Sequence, residues 1–247
     1  MMTFEATLEK MREMRLHGMA SAFDSSMNKD FADNFTTDEL VAHLIDSEWE
    51  YRYNRRLTRL LKNANFRYPA SFERINFDHK RNLDKNTVLR LSNCDWIKKG
   101  QNILVTGPTG VGKSFLACAF GHQACINGFK VIYFNAIKLF SKLKYAKADG
   151  TYAKELKRIQ KQNLMIIDDF GLHPIDEQCK LMLLELLEDR YGNQSTIISS
   201  QLPVSHWHEL IASSTLADAI CDRLIHNSYK FELNGDSMRK TLKHNSD

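Results

Sequence analysis

The chain has 247 residues, of which 43% are hydrophobic and 26% charged, and this composition excludes a disordered or fibrous protein. Its longest apolar runs, such as Leu164-Met165-Ile166-Ile167, fall far short of the ~20 residues of a membrane-spanning helix. Early acids (Glu5, Glu9) leave no secretory signal, so a cytoplasmic protein is expected. Five cysteines with no C-x-x-C pair, and His206-x-His208 with no cysteine nearby, argue against a disulfide framework or a zinc site.

Residues 3–27 lack proline and space Leu8, Met11, Met14 and Leu16 as a helix would. Thr36-x-x-Glu39 has the form of a capping box, and Leu40, Val41, Leu44 and Ile45 continue helically through Leu57, Leu60 and Leu61. Tyr68-Pro69 breaks the pattern, because a residue before proline is pushed out of the helical region. A small all-α N-terminal domain over 1–69 is therefore expected, with a second domain over 70–247 that opens on a linker and lead-in helix to about residue 100. Charge is uneven across this region. Residues 1–50 hold 4 Lys/Arg against 11 Asp/Glu, whereas 51–72 hold six basic side chains (Arg52, Arg55, Arg56, Arg59, Lys62, Arg67) and no acid. A second basic block, 138–161, has eight Lys/Arg against Asp149 and Glu155. Such asymmetry points to a polyanionic partner, although either block alone is also what a solvated helix face looks like.

From Asn102 onward short apolar runs alternate with longer helical stretches. Candidate strands are Ile103–Thr106, Val131–Phe134, Leu164–Asp168, Thr196–Ser200 and Tyr229–Leu233. Long connections between short strands imply crossovers, hence an α/β fold with a parallel sheet flanked by helices.

The first strand runs into Gly107-Pro108-Thr109-Gly110-Val111-Gly112-Lys113-Ser114, which fits G-x-x-x-x-G-K-[ST], with a helical stretch from Phe115 behind it. Glycines let successive amides turn inward around phosphate oxygens, and the helix start adds its dipole. Residues 107–115 are the expected ATP cradle, with Lys113 on the β/γ-phosphates and the Ser114 hydroxyl on Mg²⁺. Leu164–Ile167 followed by Asp168-Asp169 reads as the matching acidic strand end. Asp168 is the expected metal carboxylate and Asp169 the residue that orients or deprotonates the attacking water. Asp is one methylene shorter than the Glu that many P-loop ATPases use there, which leaves slow hydrolysis open. Gln201, at the end of the 196–200 strand, stands where additional-strand ATPases keep a γ-phosphate sensor. Arg223 in Asp222-Arg223-Leu224 is a candidate arginine finger toward a neighbouring subunit, against the alternative of an intrachain pair with Asp222 or Asp218. Arg239 is a weaker cation candidate.

Together these residues resemble the IstB family, AAA+ ATPase helpers of insertion-sequence transposons related to DnaC-type helicase loaders. The resemblance rests on Leu16-His17-Gly18-Met19-Ala20, Arg55-Arg56-Leu57, Arg59-Leu60-Leu61-Lys62, the P-loop, Asp168-Asp169-Phe170-Gly171, Ser200-Gln201-Leu202-Pro203, Asp222-Arg223-Leu224 and Gly235-Asp236-Ser237-Met238-Arg239-Lys240. Phe115 departs from the histidine expected in the family. The resemblance implies an AAA+ fold, ATP-dependent assembly into rings or spirals, a grip on duplex DNA, and work with a cognate transposase. It also implies that Lys138, Lys142, Lys144 and Lys147, following the second strand, line a DNA channel, with Arg52, Arg55, Arg56 and Arg59 as a second phosphate-contacting surface. Such contacts bind without reading bases. A helicase loader, a P-loop kinase and a nucleotide-switched scaffold are the alternatives. The paired Asp and the Arg223 helix favour water over a metabolite as phosphate acceptor.

Overall fold

The computed structural model describes residues 3–27, 36–77, 81–211 and 214–238. It divides into two compact units, Met1–Arg59 and Leu60–Asp247. Arg239 and Lys240 lie outside the described residues.

The first unit holds α1 (Phe4–Glu13), α2 (His17–Met27) and most of α3 (Thr37–Ala64). The single helical stretch expected over 3–27 is two helices. Arg15 adopts a left-handed φ of 60°, Arg15 N donates to Arg12 O at 3.0 Å, and Leu16 N donates to Met11 O at 2.8 Å. That pair of bonds is the Schellman way of ending a helix, here without glycine. The next helix starts against α3. Gly18 N and Met19 N donate to Glu48 Oε2 at 2.8 and 3.1 Å, so a distant carboxylate satisfies amides that a local cap would otherwise take. A Cβ at Gly18 would lie 2.4 Å from Ser47 O, which explains a glycine inside this motif. α3 begins on the expected box: Thr36 N donates to Glu39 Oε2 at 2.8 Å, and Glu39 N to Thr36 Oγ1 at 3.4 Å. It ends at Asn65, whose φ of 54° serves as a left-handed stop before Pro69 is reached.

The second unit is built on five parallel strands in the order β2-β3-β4-β1-β5: β1 Asn102–Thr106, β2 Val131–Asn135, β3 Leu164–Phe170, β4 Ser195–Ser200 and β5 Ser228–Glu232. Each expected strand is present. All residues of β1 and β4 are buried, as in strands covered on both faces; β1 is apolar over Ile103–Val105, whereas β4 buries four hydroxyl residues around Ile197 and Ile198. Alternate residues serve opposite faces. Met165 and Ile167 pack with Leu139 and Leu143 of α7 (Ala136–Ala148), Ile159 of α8 (Tyr152–Gln160), Leu186 of α9 (Glu177–Arg190) and Ile220 of α11 (Ser214–Ile225). On the other face lies α6 (Lys113–Ile126), whose Phe120 meets Phe72, Trp96 and Phe231 at ring-centroid distances of 5.1, 6.3 and 5.7 Å. The lead-in segment contributes short helices α4 (Lys85–Arg90) and α5 (Asp95–Lys98), and α10 (Trp207–Ile211) precedes α11. Among the described residues no helix is long and apolar enough to cross a membrane.

All five strands run in the same direction, so the loops after β1, β2, β3 and β4 all emerge on one edge. That edge carries the P-loop, Asp168, Asp169 and Gln201.

Candidate nucleotide site

The turn between β1 and α6 is shaped by three left-handed glycines, Gly107, Gly110 and Gly112, with φ of 142°, 91° and 94°. A Cβ at Gly107 would lie 2.1 Å from Leu233 O, so β5 closes directly against the turn. Leu233 N donates to Thr106 O at 2.8 Å, and Met238 N to Gly110 O at 3.0 Å, which brings the chain after β5 back over the loop. Lys113 is 7% exposed and its ammonium donates to Pro108 O at 2.8 Å, folded over the loop it is to serve.

Asp168 is fully buried at the end of β3. Ser114 Oγ donates to its Oδ1 at 2.9 Å and Tyr133 OH to its Oδ2 at 2.6 Å, while Ser199 Oγ also donates to Oδ1. Burial, then the bond to Asp168, pushes the Tyr133 phenol above its ordinary pKa, so it remains a donor. A hydroxyl and a carboxylate oxygen side by side are hard donors suited to Mg²⁺. Ser114 and Asp168 would hold that ion, which when bound neutralises charge on the phosphate oxygens.

Consecutive strand residues normally point to opposite faces. Here the β3–β4 register shifts between Ile167 and Phe170, and Asp169 takes a φ of 58°. The bulge turns Asp169 toward the same cation as Asp168: Arg67 Nη1 is 3.5 Å from Asp168 Oδ2 and 2.9 Å from Asp169 Oδ2. Asn135 Nδ2, at the end of β2, donates to Asp169 Oδ2 at 3.0 Å. Left-handed geometry at a non-glycine costs on the order of 1–3 kcal/mol and persists where its surroundings over-determine it. Burial works against the Arg67 charge, but Tyr68, Asp169 and Tyr133 outweigh it and raise its pKa.

Gln201 follows β4 and its Oε1 accepts from Thr109 Oγ1 at 2.9 Å, which places the candidate sensor on the P-loop. A cleft of about 440 Å³ joins these groups, and Tyr68, Arg74, Asn76, Phe115 and Met238 line it beyond the phosphate cradle. Arg223 is elsewhere. Asn102 Nδ2, at the opposite end of β1, donates to Arg223 O at 2.9 Å, so one strand length of roughly 13 Å separates it from its own P-loop. Its guanidinium pairs with Glu188 of α9 and donates to Ala219 O at 2.8 Å. The intrachain partner is thus neither Asp222 nor Asp218, which stand one and five positions away and do not share its helix face. Asp218 meets His208 Nε2 at 3.1 Å.

A profile of IstB-like ATP-binding proteins matches residues 9–246. The chain belongs to this family. It is 43% identical over 240 residues to an insertion-sequence ATP-binding protein of Sinorhizobium fredii, covering 97% of this chain and 98% of that one. Over 206 residues it is 39% identical to the ATP-binding protein of insertion sequence IS1162 from Pseudomonas fluorescens, covering 83% and 89%. Among solved structures, the DnaI protein aligns with a TM-score of 0.55 at 20% identity, covering 71% of this chain and 93% of that chain. The DnaC helicase loader aligns at 0.53 and 21%, covering 60% and 86%. These two likenesses show the fold. As an IstB-like ATP-binding protein the chain is a P-loop ATPase, and such ATPases generally take ATP with Mg²⁺.

Several groups in this IstB-like site escaped the reading of the sequence. Arg67 lay within a basic run and drew attention only as part of it. Arg81 is 2% exposed, its Nη1 donates to Val111 O at 3.0 Å and its Nη2 to Asn76 O at 2.9 Å, so it braces the P-loop from outside. Burial lowers its pKa. Tyr133 sits among apolar residues of β2 and Ser199 among the serines and threonine of β4, and nothing local marks either as a polar partner of a carboxylate. Asn135 had a usable signal, a polar residue ending a parallel strand on the edge where ligands bind.

The basic blocks are partly engaged. Lys142 pairs with Glu155 at 2.9 Å, Lys144 with Asp176 at 2.5 Å, and the Lys147 ammonium lies 4.9 Å from the centre of the Tyr152 ring. Lys138 is exposed on α7. In the first unit Arg52 Nε is 2.6 Å from Glu48 Oε1, while Arg55 and Arg59 are exposed on α3.

Proposed function

We propose that this ATPase assembles on duplex DNA in its ATP-bound form and helps a transposase choose its target. The observation that carries the reading is the position of Arg223. It lies at the far end of β1 from its own P-loop, on the partly exposed side of α11. There it can stabilise a phosphoryl-transfer transition state only on another copy. Lys113, Asp169 and Gln201 act on the γ-phosphate in cis, with Ser114 and Asp168 on the metal, and residues 107–115 cradle the triphosphate. A finger supplied in trans contributes on the order of 10³ to 10⁵ in rate where measured. Such an arrangement demands a heterologous interface, which generates rings or open spirals. Tyr68, Arg74 and Asn76, on the cleft beyond the phosphate cradle, receive the base.

Lys138, Lys142, Lys144 and Lys147 on α7 provide the phosphate-binding surface within the ATPase unit. Arg52, Arg55, Arg56 and Arg59 on α3 provide a second one. Exposed ion pairs such as Lys144–Asp176 contribute little to stability and exchange readily for a phosphate partner. The insertion-sequence origin of the relatives supports a transposase as the protein partner.

The test measures ATP hydrolysis with and without duplex DNA, then mixes Arg223→Ala with Lys113→Ala protein. Neither variant turns over alone, and mixing restores activity because one supplies the finger and the other the cradle. No recovery on mixing, with each variant folded and still self-associating, refutes action in trans. Co-purification with the cognate transposase rather than a replicative helicase separates this reading from that of a loader.

A further inference from the structure

Arg81 is a buried cation outside the set of groups that hold the phosphates and the metal. It is 2% exposed, yet it lines the nucleotide cleft beside Gly112. Main chain fixes its position. Asn234 N donates to Arg81 O at 3.0 Å, and Nδ2 of the next residue, Asn82, donates to Glu232 O at 3.0 Å, which ties the segment to β5 and the chain after it. From there the side chain crosses to the P-loop. Its Nη1 donates to Val111 O at 3.0 Å and meets Met238 Sδ at 3.1 Å, while Nη2 donates to Asn76 O at 2.9 Å. A Cβ on residue 112 would lie 2.5 Å from Nη1, so the guanidinium rests against the bare Cα of Gly112. The cleft wall at Asn76, the phosphate turn and the chain after β5 thus meet on one side chain.

All of these partners are uncharged. No carboxylate among the described residues pairs with Arg81, its Nε has no hydrogen-bond partner, and burial, opposed by no nearby charge, lowers its pKa. A buried cation without a counter-charge, in a cleft, is the kind of group that functional sites keep. The anion that comes next to it is the polyphosphate that this turn is shaped to bind. We infer that Arg81 is a positioning residue for the polyphosphate: it holds the Val111–Gly112 peptide from outside the loop and sets a fixed positive charge behind it. Protein rather than water surrounds that charge, so its field is little screened. Affinity then rises with each negative charge on the phosphate chain, beyond what the loop amides, Lys113 and the metal supply. The charge is in place before the ligand arrives, so no reorganisation opposes its effect. This role belongs to the ATP site itself and stands whether or not DNA or a transposase is bound.

The experiment uses the full chain in EDTA and measures displacement of a fluorescent ATP analogue by a non-hydrolysable ATP analogue, ADP and AMP. Arg81→Met, of similar length and uncharged, binds the ATP analogue roughly 30-fold more weakly than wild type, ADP roughly 10-fold and AMP less than about 3-fold. Arg81→Lys keeps the charge without the planar fork and recovers most of the loss for the ATP analogue. In steady-state hydrolysis with Mg²⁺, the KM of Arg81→Met for ATP rises while kcat stays within about 3-fold of wild type, because an interaction common to ground and transition states has been removed. A loss shared equally by the three nucleotides overturns the inference, since packing alone would then explain it. An Arg81→Lys protein that binds the ATP analogue no better than Arg81→Met overturns it too, as does an Arg81→Met protein with wild-type affinities. A fall in kcat with KM unchanged places Arg81 in the chemical step and equally refutes a role in binding. Thermal unfolding checks the fold of each variant. If Arg81→Met does not fold, Arg81→Gln, which can still donate to Val111 O, carries the same comparison.

Discussion

Replacing Gly107 by alanine should damage the nucleotide site through the backbone. At a φ of 142°, a Cβ on residue 107 would lie 2.1 Å from Leu233 O, with Leu233 C at 3.0 Å. Both obstacles are main chain at the end of β5, which cannot step aside as a flexible side chain would. The strained backbone alone costs on the order of 1–3 kcal/mol. Relief requires β5 to move by about 1 Å, and that breaks the 2.8 Å bond from Leu233 N to Thr106 O. A lost hydrogen bond adds about 0.5–1.5 kcal/mol. The sum, roughly 2–4 kcal/mol, corresponds to a fall of about 4–16 °C in melting temperature for a unit of this size. Gly110→Ala is the control. Its φ of 91° is also strained, and its added Cβ meets Ser237 Oγ at 2.2 Å and Ser237 Cβ at 2.6 Å; the hydroxyl can rotate away, and the rest is relieved by a shift of the segment after β5 rather than of the strand. Thermal unfolding and ATP-analogue titration of both variants should rank Gly107→Ala as the less stable and both as weaker binders. Equal melting temperatures for Gly107→Ala and wild type would refute the claim that β5 is clamped against the P-loop.

Tyr133→Phe removes a 2.6 Å donor from a fully buried carboxylate, so it should cost about 1–3 kcal/mol in denaturant unfolding. The Mg²⁺ concentration for half-maximal ATPase should rise roughly 10-fold, as for other partners of ligating groups, and an unchanged value would remove Tyr133 from the metal site. Burial pushes the thiols of Cys94 and Cys118 up to about 11 and that of Cys125 to about 12, from an ordinary 9. The native protein should therefore resist alkylation at these three positions at pH 8, read by mass spectrometry of the digested chain. Because the folded state keeps protons that the unfolded state releases, stability should fall as pH rises through about 9 toward 11. Rapid labelling of Cys118 in the native protein would contradict its burial within α6.

Much of this molecule is legible from local chemistry. Thr36 and Glu39 cap a helix with each other, three residues apart, and no distant group is needed to see it. The five strands and the P-loop read directly, because each buried strand carries a short apolar run at its centre and a phosphate-binding turn needs glycines at fixed intervals. Asp168 follows from the same logic, as an acid that ends a buried strand. Arg15 shows the limit: its left-handed backbone has no signature in a residue that seldom adopts it.

Sequence alone thus determined the five strands, their parallel sense and the glycine-rich turn after the first, because apolar runs, connection lengths and glycine spacing are all read along the chain. Tertiary structure decided who stands beside Asp168 and Asp169. Arg67 is about a hundred positions away along the chain, Tyr133 and Asn135 come from another strand, and a one-residue bulge turns two successive carboxylates to the same cation. It also decided that Arg223 faces Glu188, at the end of the sheet away from its own P-loop. No local pattern encodes such pairings. They arise only when strands distant in sequence are brought side by side, roughly 4.8 Å apart, and their ends converge on one edge of the sheet.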